Sequence, residues 1–99
     1  MHFEWDESKN ASNKQKHGIS FELACLVFQD PFLLSLLDDR IDHEERWRSI
    51  GMVGDQTIIF VAHTVRDEDN HEETIRIISA RKATPSERKF YLDERRAAR

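Results

Sequence analysis

The chain has 99 residues, 38% hydrophobic and 34% charged, with a formal net charge of −4; that length suits one domain with one core and excludes a second. No apolar run approaches the roughly 20 residues of a membrane span and no apolar signal segment opens the chain, while the lone Cys25 excludes an intramolecular disulfide, so a cytoplasmic protein without a thiolate metal site is expected. From Ile75 onward eight Lys or Arg stand against three Asp or Glu, whereas the first 74 residues hold seven against sixteen, so the C-terminal quarter alone suits an anionic partner.

Residues 2–5, His2-Phe3-Glu4-Trp5, suit a short strand. Asp6 is placed to cap a polar helix that runs to about His17 and stops at Gly18. Ser20 caps a second, more apolar helix across Phe21 to about Gln29, ended by Asp30-Pro31 because proline disfavours helix in the residue before it. Cys25, among Ala24, Leu26, Val27 and Phe28, reads as core packing rather than a nucleophile.

After Pro31 the run Phe32–Leu37 predicts a strand, and 38–45 a charged loop. Arg46–Val53 alternates imperfectly, and Gly54-Asp55 is a two-residue turn into a return strand from Gln56 to about Thr64. Along it Ile58, Phe60 and Ala62 share one face, and Ile59, Val61 and His63 the other. A hydrophilic loop over 66–73 leads to the β-branched stretch Ile75–Thr84. Strict alternation there puts Ile75, Ile77, Ser79 and Arg81 on one face and Arg76, Ile78 and Ala80 on the other, so the two arginines diverge. Thr84-Pro85-Ser86-Glu87 is a capping box with proline at the first helical position, predicting a helix to about Ala97. The expected architecture is α+β: two N-terminal helices packed on an antiparallel sheet of about four strands, followed by a C-terminal helix.

Arginine inside a strand needs an anion, either a carboxylate of the protein or a ligand phosphate. For a phosphodiester the candidates are Arg46, Arg48, His63, Arg66, Arg76, Arg81, Lys82, Arg88, Lys89 and Tyr91, with Trp47 as a stacking surface. RNA cleavage needs no metal if a base takes the 2′-hydroxyl proton, a cation steadies the phosphorane and an acid protonates the leaving oxygen. His63 or Glu45 would serve in proton transfer. The blander readings stand beside these. His63 at the end of an apolar strand is commonly structural, Arg76 and Arg81 can pair with Glu45, Glu72 or Glu73, Trp47 can be half-buried packing, and Tyr91 can bond Glu87 on one helix face. His43-Glu44-Glu45 and His71-Glu72-Glu73 lack the helical spacing that aligns metal ligands, and no metal is expected.

Across nearly the whole chain the residues resemble the BrnT-type toxins of bacterial type II toxin–antitoxin systems. The resemblance is carried by Phe3-Glu4-Trp5-Asp6, Lys9, Asn13 and Lys16-His17-Gly18; by Ser20-Phe21-Glu22, Ala24, Phe28 and Asp30-Pro31; by Glu45-Arg46, Ile50-Gly51, His63-Thr64 and Arg66; and by Arg76 through Thr84, Glu87-Arg88 and Tyr91. It implies a RelE-like fold and metal-independent cleavage of RNA that arrests translation and growth. It also implies neutralisation by a BrnA-like ribbon-helix-helix antitoxin, with operator DNA bound only through that partner. On this reading Arg76 and Arg81 hold the scissile phosphate, Arg46 and Arg66 assist, and Trp47, Lys82, Arg88, Lys89 and Tyr91 bind RNA. The alternative is a non-catalytic module that binds an antitoxin and contributes to repression. Two features depart from the family pattern: a longer, more acidic loop at 67–73, and an acidic overall balance where phosphate binding favours a basic one.

Overall fold

The computed structural model describes residues 1–41, 44–67 and 71–98. In chain order these form β1 (His2–Glu4), α1 (Glu7–His17), α2 (Phe21–Ala24) with a 3-10 continuation over Cys25–Gln29, β2 (Leu34–Ile41), β3 (Glu44–Val53), β4 (Thr57–Asp67), β5 (Glu73–Lys82) and α3 (Pro85–Ala97). The five strands make one sheet in the order β1-β5-β4-β3-β2. The hairpin-linked strands are antiparallel, and β1 lies parallel to β5 with Phe3 beside Ile75. The α+β class stands, but the expected sheet of about four antiparallel strands becomes a mixed sheet of five, because residues 2–4 pair with a strand some 70 positions away. The expected loops also shrink, as β2 and β3 run into 38–45 and β4 and β5 into 66–73. Asp42, His43 and residues 68–70 of those loops lie outside the described residues.

Each helix starts where its cap dictates. Asp6 Oδ1 accepts from the backbone N–H of Ser8 and Lys9, and Gly18 closes α1 at φ 74°, a left-handed conformation that glycine adopts without strain. α1 has no apolar stripe to bury. It is attached instead through asparagines: Asn13 Nδ2 donates to the Ile19 and Ala80 carbonyls and its Oδ1 accepts from Ala80 N–H, while Asn10 Oδ1 accepts from Phe21 N–H. Asn13 thus satisfies backbone groups of β5 beyond the end of the β1 pairing.

Phe21, Ala24 and Val27 pack on Ile59, Val61, Ile75, Ile77 and Ala80, which forms the main core on one sheet face. The approach is close: a Cβ on Gly51 of β3 would lie 2.8 Å from Val27 Cβ. The opposite face is only half covered. There Tyr91 and Leu92 of α3 sit over Ile50, Met52, Ile58 and Phe60. Among the described residues no helix is long and apolar enough to cross a membrane.

Candidate functional site

The half of the sheet that α3 leaves open carries arginines, and one irregularity in β5 gathers them. Ala62 of β4 pairs with Ser79, yet the next residue, His63, pairs with Ile77, so Ile78 is an extra residue in β5. Such a bulge reverses the parity of the strand beyond it. Arg76 stands opposite Thr64 and Arg81 opposite Phe60, which have the same parity on β4. The expectation that Arg76 and Arg81 point to opposite faces is therefore corrected, since both lie on the open one.

The ladder partners arrange that face in rows. Arg46, Thr64, Arg76 and Glu4 form one row across β3, β4, β5 and β1; Leu36, Arg48, Ala62 and Ser79 form the next; Leu34, Ile50, Phe60 and Arg81 form the third, beside α3. Arg66 lies two residues from Thr64 along β4, diagonal to both Arg46 and Arg76, a separation of about 7–8 Å between such backbone positions. Three arginines thus surround Thr64. Its side chain is 2% exposed, and its Oγ1 has no hydrogen-bond partner among the described residues.

These cations are held differently. Arg46 and Arg76 are exposed and make no ion pair among the described residues. Arg66 donates to Glu4 Oε1 at 2.5 Å, and that bond, with the charges of Arg66 and Arg76, keeps the Glu4 carboxyl below the usual carboxylate range. Arg48 meets Asp38 at 3.2 Å. Arg81 is committed to α3: its guanidinium makes two bonds to Glu87, at 2.7 and 3.0 Å, and lies 4.2 Å from the centre of the Phe60 ring. The Arg81 guanidinium and the Thr84 N–H pull Glu87 down to about 2.

The remaining expected site residues fall elsewhere. His63 is buried on the helical face, against Phe28, where burial takes its pKa down to about 4. Trp47 pairs with His63 and Glu45 with Val65, so both also belong to the helical side of β3. Lys82, opposite Ile59, is an exposed residue at the end of that same side. On α3, Arg88 donates to the Gln56 carbonyl and Lys89 pairs with Asp93, both exposed. Tyr91 is fully buried and donates to Asp30 Oδ2 at 2.5 Å, so it presents no surface to RNA. Burial and this bond to Asp30 push its hydroxyl up to about 12. Burial likewise pushes the Cys25 thiol up to about 11, which keeps it a thiol rather than a thiolate at neutral pH.

Three residues of the open face are not among the expected site residues: Thr64, which lies in an apolar strand, and His2 and Glu4, which reach the arginines only through the pairing of β1 with β5. Glu4 and Thr64 belong to the resemblance, but nothing in it marks them as facing the arginines. His2 also meets Glu72 across an exposed side-chain contact. Beside α3 the rows end in a groove of about 230 Å³ lined by Leu34, Leu36, Ile50, Phe60 and Phe90, with Arg48, Ser86 and Glu87 at its polar margin.

A mixed sheet backed by helices on one face, with guanidinium groups gathered on the other, defines a small α+β protein whose open sheet face carries a cationic patch. Residues 5–87 match the family described as ribonuclease toxin, BrnT, of type II toxin–antitoxin system, and the chain belongs to that family. Membership implies an antitoxin as partner and a ribonuclease activity at the level of the family. A comparison with curated proteins gives no match.

Proposed function

We propose that the chain is a metal-independent endoribonuclease toxin with a RelE-like fold, acting on mRNA on the open sheet face. The observation that carries this reading is the ring of Arg46, Arg66 and Arg76 around the buried, unpartnered Thr64 hydroxyl. A phosphodiester there meets planar charge-assisted donors from three strands. Attack of the 2′-hydroxyl on phosphorus expels the 5′-oxygen and leaves a cyclic phosphate, and the guanidinium groups offset the charge that builds on the phosphorane. His63 and Glu45 lie behind the sheet. Proton transfer is therefore assigned to Glu4, the carboxylate of the arginine row, as base, and to His2 on the same face of β1 as acid. Arg81 acts at one remove, by fixing the start of α3 beside the site. In the cell the reading entails a cytoplasmic toxin that blocks translation and growth. A BrnA-like ribbon-helix-helix antitoxin neutralises it and carries the pair to operator DNA.

Purified protein incubated with RNA in EDTA tests this. Cleavage should occur, and Arg76→Ala should slow it by about 10²–10³-fold, the loss typical of one removed transition-state donor. The melting temperature should stay within a degree or two, because Arg76 is exposed and pairs with nothing among the described residues. A net charge of −4 also suits the alternative of a non-catalytic antitoxin-binding module. RNA left intact at high protein concentration would decide for that module.

A further inference from the structure

The groove between α3 and the sheet is an extension of the arginine face. Arg48 lines it and also stands in the row next to Arg46, Thr64 and Arg76. Between the two lie Ala62 and Ser79, small side chains that leave a shallow path across the sheet. Rows two residues apart along a strand are separated by about 7 Å. Phe60 lies two such rows from Thr64, about 14 Å away, so an RNA strand with a phosphate at Thr64 follows that path and brings the base of a neighbouring nucleotide to the groove.

The walls suit a planar ring. Phe60 forms the floor and Phe90 the rim on α3, where it is 45% exposed although most of that helix's surface is polar. Leu36, 55% exposed, lines the same groove from β2. A volume of about 230 Å³ takes one ring system, not the row of side chains that an amphipathic helix would insert. The margin is selective as well. Glu87 Oε1 already accepts from Arg81 Nη1 and Thr84 N–H, while Oε2 accepts, among the described residues, only from Arg81 Nη2. A carboxylate oxygen has two lone pairs, so Oε2 keeps one acceptor position, which a base amino group fills and a carbonyl does not.

We propose that this groove is a base-recognition pocket that stacks one RNA base on Phe90 and, through Glu87, prefers a base with an exocyclic amino group over uracil. The proposal rests on the ribonuclease reading for its ligand and adds to it a determinant of where the chain is cut. Phe90 lies beyond residues 5–87, the part that matches the family, and Glu87 is the last residue within it.

The test uses a short 2′-O-methyl oligoribonucleotide, uncleavable because its nucleophilic oxygen is blocked, and the same strand with one abasic position moved along it. By fluorescence anisotropy, the full-length protein should lose about 5- to 100-fold in affinity when the abasic position falls in the groove, the range carried by one base–aromatic stack. Uracil at that position should bind more weakly than adenine, cytosine or guanine. Phe90→Ala should bind all these strands alike, and Phe90→Tyr should restore the difference, with thermal melts confirming that both variants fold. An abasic penalty of equal size in the parent and in Phe90→Ala, or no penalty in either, overturns the pocket. So does a Phe90→Ala protein that keeps its base discrimination but escapes neutralisation by the antitoxin, since the groove then belongs to the protein partner. A parent that shows the Phe90-dependent difference yet leaves the unmethylated strand intact keeps the pocket and removes the nuclease. A parent that cleaves without any such difference removes the pocket alone, and one that binds no strand overturns both.

Discussion

The imidazole of His63 meets the Phe28 ring edge-on, with centroids 4.9 Å apart, and its Nε2 lies 2.7 Å from the Ser49 hydroxyl. Its other nitrogen faces the Thr64 carbonyl, which can only accept, so Nδ1 carries the proton and Nε2 accepts from Ser49. Ser49 in turn hydrogen-bonds Ser35 of β2. The neutral ring is thus fully used in holding three strands together. Burial lowers its pKa from 6.5 to about 4, so the unfolded chain binds a proton there that the folded one does not. Stability from this residue is complete above pH 6.5, falls as pH drops from 6.5 towards 4, and is lost below that. The gap amounts to about 3 kcal/mol at roughly 1.4 kcal/mol per pH unit. Urea midpoints measured between pH 7 and 4.5 should decline in the parent and stay nearly level in His63→Gln, which keeps an acceptor for Ser49 but does not titrate. Alternation already grouped His63 with Ile59 and Val61. What the sequence left open was which face the helices cover, because that depends on where α1 and α2 dock. Asn13 is the same lesson in polar form: it belongs to the resemblance, but nothing in a hydrophilic helix shows that its side chain bonds β5. Asn13→Ala should cost about 2–3 kcal/mol, since it strands the Ala80 N–H and carbonyl away from water. Chemical denaturation measures that directly.

At the level of elements, the helix starts were legible and the strand irregularities were not. Asp6, Ser20 and the Thr84–Glu87 capping box each begin a helix where the residue types require one. A cap is local chemistry confined to four residues. The bulge at Ile78 has no such mark, because an isoleucine there fits a regular strand as well as a bulged one, and the irregularity appears only against β4. That one residue decides whether Arg76 and Arg81 act together or apart. Their roles separate all the same. Arg81→Ala removes the two bonds to Glu87 and the contact with Phe60, so it should lower stability by about 1 kcal/mol and loosen the start of α3. Arg76→Ala, at an exposed residue with no ion pair among the described residues, is therefore the clean probe of the site. Thermal melts of the two variants side by side should show a drop for Arg81 only. Gly51 marks another contact between elements: its Cβ would press on Val27 Cβ and lie 3.0 Å from the Val27 carbonyl oxygen. Backbone cannot yield as a flexible side chain can. Gly51→Ala should destabilise the fold by about 1–3 kcal/mol, read as a lower urea midpoint.

For the molecule as a whole, a charge of −4 and the proposed RNA ligand are reconciled by where the cations stand. Acidic residues dominate the first 74 positions, yet β3, β4 and β5 each send an arginine to one face, so a cationic patch forms on an anionic protein. Long-range attraction to RNA is then weak, and binding depends on the contacts made after arrival. This has a measurable consequence in salt. If Arg46, Arg66 and Arg76 each neutralise one phosphate, the logarithm of the binding constant should fall with the logarithm of salt concentration at a slope of about −2, given roughly 0.7 per phosphate on a single strand. Arg76→Ala should make that slope shallower by about 0.7. Lys89→Ala should leave it unchanged, because Lys89 lies on α3, outside the arginine rows of the sheet. Equal changes in slope for the two variants would mean that RNA responds to the diffuse field of the basic C-terminal quarter, and the ordered rows on the sheet would then have no part in binding it.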